Sequence, residues 1–78
     1  MSFGLNVAKG FLGKNVNLHL KDGSVIVNVR LTGIKKHTSG RKRFIEYVPF
    51  GNFKVNELPL QSVAWAESLS ALAFLHST

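Results

Sequence analysis

Seventy-eight residues with ten Lys or Arg, four Asp or Glu and no Cys make room for one core and exclude both a disulfide staple and a thiolate metal site. A formal charge of +6 and an isoelectric point near 10.2 favour an anionic partner such as nucleic acid. His19, His37 and His76 are far apart with no ligand spacing, which predicts no metal and no cofactor.

Met1 to Gly13 shows neither a basic flank with a continuous apolar stretch nor a cleavage signature. No apolar stretch approaches the ~20 residues that span a bilayer. The expectation is a soluble cytoplasmic protein with no membrane partner.

Residues 2–12 read as a short amphipathic helix. Ser2 is placed to cap it, and Phe3, Val7 and Phe11 recur at helical spacing, with Leu5, Ala8 and Leu12 widening the stripe. Gly13 stands where a left-handed stop is expected, with Lys14 near the negative helix end. Gly4 and Gly10 each weaken the helix by about 1 kcal/mol against Ala, so packing has to hold it.

From Val16 the period becomes two. Val16, Leu18 and Leu20 alternate with Asn17, His19 and Lys21, the pattern of a half-buried strand. His19, on the side away from the core, reads as exposed. Lys21-Asp22-Gly23-Ser24 is a tight turn. In the second strand Val25, Val27, Val29 and Leu31 share one face, and Ile26, Asn28, Arg30 and Thr32 the other. Gly33 allows a bend.

Lys35 to Arg43 breaks the alternation around Thr38-Ser39-Gly40, which is turn chemistry, and reads as a basic hairpin tip. Phe44 to Phe50 is a third strand, disturbed by Pro49. Gly51-Asn52 reverses the chain into a fourth strand, Phe53 to Leu58, which Pro59 closes. Leu60-Gln61-Ser62 is a short connection to a fifth strand, Val63 to Ala66. The tail, residues 67–78, is rich in Ala and Leu and allows a helix with Leu69, Leu72, Ala73 and His76 on one face. No repeat or linker divides the chain. The fold class is therefore mostly β: one domain over 1–78, with an N-terminal α-helix, a small, strongly bent, five-stranded antiparallel SH3-like barrel over 15–66, and a short tail or helix.

A short helix followed by Phe11-Leu12-Gly13-Lys14-Asn15-Val16-Asn17-Leu18-His19-Leu20-Lys21-Asp22-Gly23 closely resembles the opening of Sm-like (LSm/Hfq-like) proteins. The strand order that follows, to about Ala66, also fits a divergent member. The resemblance implies a closed homo-oligomeric ring of about five to seven subunits, in which the fourth strand of one copy pairs with the fifth of the next. Phe53, Val55, Val63 and Trp65 would then lie at or near the subunit interface. The match fails at the family's RNA pocket. Lys35 and Ser39 stand where its first motif has Asp and Asn, Pro59 and Leu60 where its second has Arg-Gly, and the usual Gly of the second strand is missing. Uridine specificity is therefore not carried over.

Lys35, Lys36, Arg41, Lys42 and Arg43 hold half of the chain's ten cations within nine positions. Repeated around a ring, such a cluster makes a strong field for phosphates. His37 lies inside it, and Phe44 and Tyr47 follow closely enough to stack bases. No nucleophile with its base and no GxxxxGK motif is present, so an enzyme is not expected. The leading expectation is a ring-forming, RNA-binding protein that acts as an RNA chaperone or regulator, its partner single-stranded RNA. The alternatives are a structural or protein-interaction ring that has lost the base pocket, and a monomeric SH3-like or OB-like barrel.

Overall fold

A computed structural model describes residues 3–36, 40 and 42–69. Within them the chain runs α1 (Leu5–Gly10), β1 (Asn15–Leu20), β2 (Val25–Lys36), β3 (Arg43–Pro49), β4 (Asn56–Pro59), a 3-10 turn (Leu60–Ser62) and β5 (Val63–Ser68). The strands form one antiparallel sheet in the order β4-β3-β2-β1-β5. The mostly β fold with a short N-terminal helix is as expected, but β4 and β5 are edges, so the sheet is not closed into a barrel. Ser2, Thr38, Ser39 and residues 70–78, where a cap, a turn and most of a helix were expected, lie outside the described residues.

The core consists of apolar side chains from every element. Leu18, Leu31, Ile45, Val16, Val29 and Val63 are its largest fully buried members. Helix α1 is shorter than residues 2–12 and has Gly4 at its N-cap with no side-chain cap. Its inward residue is Ala8, fully buried, whereas Val7 is 39% exposed. Phe3 and Phe11 stack at 6.2 Å between ring centroids and hold the helix to the core. Gly13 adopts φ +81 as expected, and its N–H donates to the Leu31 carbonyl at 2.8 Å, joining the end of the helix to β2.

The Asp22-Gly23 turn also forms as expected. Gly23 has φ +93, and Asp22 Oδ1 accepts from the Ser24 N–H at 2.9 Å and the Ser24 hydroxyl at 2.6 Å. These bonds hold the Asp22 carboxyl below the usual carboxylate range.

Strand β2 departs from simple alternation. Val16 pairs with Val29 but Leu18 pairs with Ile26, so β2 carries one extra residue between those rows. Asn28 absorbs it at φ +55, with its N–H bonded to Asn17 Oδ1 at 2.9 Å. This bulge turns Ile26 toward the core and leaves Val25 43% and Val27 65% exposed, reversing their predicted side. A second irregularity falls between Leu31 and Gly33 in the β2–β3 pairing, where the bend was expected. A Cβ on Gly33 would come within 2.7 Å of Glu46 Oε1, so glycine lets the flexible Glu46 side chain lie across the strand. Two irregularities in one twelve-residue strand are the kind of feature that bends and twists a strand locally.

The fourth and fifth strands differ in extent from expectation. β4 begins at Asn56, and Phe53 and Val55 belong to the loop before it. β5 runs on to Ser68, so Glu67 is a strand residue rather than the start of a helix. The Leu69 N–H still bonds to the Asn15 carbonyl at 2.8 Å.

Candidate nucleic-acid interface

The basic residues gather at the loop end of the β2–β3 hairpin. Lys36 lies opposite Arg43, and Lys35 opposite Phe44, which is in turn opposite Pro59 of β4. Lys42 precedes the strand and is exposed. His37 and Arg41 are outside the described residues. Two cations directly opposite each other repel, so the Lys36–Arg43 row costs stability.

Of the four acids of the chain, two lie away from this cluster and two lie beside Lys35. Asp22 is held in its turn, and Glu67 lies on β5. Glu46 lies over Gly33, opposite Glu57. Glu57 pairs with Lys35, Oε2 to Nζ, at 3.1 Å. That hydrogen bond and charge raise the Lys35 pKa. Among the described residues this is the one ion pair between a Lys or Arg and a carboxylate. Lys36, Lys42 and Arg43 thus keep their charge uncompensated, while Lys35 is partly occupied.

Tyr47 does not join this cluster. It packs against the core, opposite Leu31 and Asn56, and four residues of strand put it roughly 13 Å from Arg43. Phe44, beside Lys35, is the nearer aromatic.

The residues expected at a subunit contact separate into different environments. Val63 is 1% exposed and belongs to the protomer's own core. Phe53 and Val55, in the loop, are 97% and 50% exposed. Trp65 is 50% exposed on β5, whose described pairing is with β1 alone.

One constellation was missed in the sequence. His19 and Trp65 face each other across β1 and β5, their rings stacked at 3.7 Å and 7°. His19 Nε2 lies 3.0 Å from Glu67 Oε1, donating to it as the Nε2–H tautomer. Asn17 Nδ2 donates to the same oxygen at 3.1 Å. These bonds hold the Glu67 carboxyl below its usual range. The signal was present as polar residues two apart on each strand, but only the β1–β5 register brings the four together. His19 is therefore a half-buried bonded residue, not a free surface one.

Among the described residues no three His, Cys, Asp or Glu side chains cluster as metal ligands, and no helix is long and apolar enough to cross a membrane. Comparison with protein-family models, curated proteins and solved structures finds no match to this chain.

Proposed function

We propose that this chain is a subunit of a closed Sm-like homo-oligomeric ring of five to seven copies that binds single-stranded RNA and acts as an RNA chaperone or regulator. The observation that carries the reading is the uncompensated Lys36–Arg43 row, with Lys42 beside it, at the tip of a bent sheet with two open edges. Unpaired edge N–H and C=O groups favour pairing with another strand. Edge β4 of one copy joins edge β5 of the next, with Trp65 alongside the seam and Val63 contributing backbone only. Each copy then adds its hairpin cations to one rim, and phosphates bind there with steep salt dependence and little sequence preference.

The experiment is a filter-binding titration of short RNAs at several salt concentrations. It compares the wild type with a variant in which Lys35, Lys36, Arg41, Lys42 and Arg43 are replaced by Ser. The variant should lose binding at low salt while keeping the wild-type mass in solution. Unchanged affinity contradicts the proposal. The bond from Lys35 to Glu57 favours a second reading, a ring that binds protein and not RNA. That reading predicts an oligomer with no RNA affinity even at low salt.

A further inference from the structure

At the other end of β3 from the cationic tip, a cleft of about 410 Å³ opens between β1, β2 and the loop after β3, a size typical of small-ligand sites. β1 and β2 line it with Asn15, Asn28 and Arg30, and the loop adds Phe50, Asn52 and Phe53. The loop backbone is tied down. The Phe50 N–H donates to the Asn28 carbonyl at 3.1 Å and the Asn52 N–H to the Pro49 carbonyl at 3.1 Å. The Lys54 N–H donates to Asn52 Oδ1 at 2.9 Å, and Gly51 takes the turn at φ +77. Yet this fixed loop leaves Phe50 77% and Phe53 97% exposed. Two aromatic faces presented in water beside a guanidinium and amide groups suit a flat ring with a polar edge.

We infer that the cleft takes an unpaired nucleobase of a bound strand, stacked on Phe50 or Phe53 with its edge toward Arg30 and Asn28. The inference rests on the nucleic-acid reading above and adds to it a base-contacting site separate from the cationic tip. An apolar peptide would bury the Arg30 guanidinium, whose Nε donates to Asn15 Oδ1 at 3.5 Å, without matching its terminal N–H groups.

The test uses the full chain in its assembled state and three proteins: wild type, Phe50→Ala with Phe53→Ala, and the five-serine hairpin variant. Each is titrated with an oligoribonucleotide of about ten residues and with an abasic strand of equal length and charge, and its mass is measured. The double alanine variant should lose about tenfold or more in affinity for the base-bearing strand, with abasic binding and mass unchanged. The hairpin variant should lose affinity for both strands. Undiminished affinity in the double variant overturns the cleft, as does an equal loss on the abasic strand. A changed mass also overturns it by making the loop a contact between copies. If the wild type binds neither strand, the RNA reading fails and the cleft is decided by AMP and UMP. Amide shifts at Gly51 and Asn52 on adding either nucleotide support a base site, and their absence overturns it.

Discussion

Asn28 shows how one residue decides which side of a strand its neighbours face. It sits at φ +55, where glycine is at ease and a β-branched residue is strained by roughly 1–2 kcal/mol. Asn28→Gly should leave urea-unfolding stability within about 0.5 kcal/mol, and Asn28→Val should lower it by about 1–2 kcal/mol. Equal stabilities would show that the bulge is not built as described. Val25, Val27, Val29 and Leu31 looked like a single face because period two carries no mark for an inserted residue. Asn is one of the few side chains that tolerate the left-handed region, but it is also an ordinary strand residue here. Only the pairing with β1 reveals the bulge.

Glu67 sets a pH dependence of known sign. Its carboxyl is depressed in the fold by His19 and then by Asn17, with Trp65 stacked beside them on His19. The contribution is complete above the unfolded carboxylate value, about 4.3, and disappears as pH falls through the lower folded value. Wild-type stability should therefore fall as pH drops below the unfolded carboxylate value, and Glu67→Gln should flatten that fall. Parallel curves for the two proteins would rule the contribution out.

Among the elements, α1 depends most on packing. Six residues without a side-chain cap are far below the ~12 at which an isolated helix becomes even marginal. Ala8 is fully buried, so Ala8→Leu has no space and should destabilise by about 1–3 kcal/mol. A neutral effect in thermal unfolding would mean that α1 lies loosely on the sheet. The helix, the alternation in β1, the Asp-Gly turn and the short link before β5 were legible in the sequence because each has a local cause. The start of β4 was not. Phe53 and Val55 alternate with polar residues like a strand, yet the loop bonds of Asn52 keep them out of it. Glu67 and Ser68 resemble a helix start and instead extend β5, since the partner they meet on β1 is fixed by distant residues.

Edge β5 presents Trp65 half-exposed. Covering the remaining ring surface with a neighbour would contribute roughly 2–3 kcal/mol. Trp65→Ala should accordingly raise the protein concentration needed for assembly by about tenfold or more. An unchanged midpoint in sedimentation would take Trp65 out of the contact.

For the molecule as a whole, charge placement and the open edges belong together. A domain of this size buries only about 60% of its unfolded surface, and in the proposed ring β4 and β5 would be satisfied on other copies. In the proposed ring, Lys36, Lys42 and Arg43 of every copy would line one rim, where a phosphate chain would relieve their repulsion. The cations were visible in the sequence as a cluster. Which of them an acid neutralises was not, because Glu57 reaches Lys35 from a strand twenty-two positions away. Native mass spectrometry of the full chain at micromolar concentration tests this account most directly. It predicts one closed species of five to seven times 8.6 kDa; a lone protomer of 8.6 kDa contradicts it.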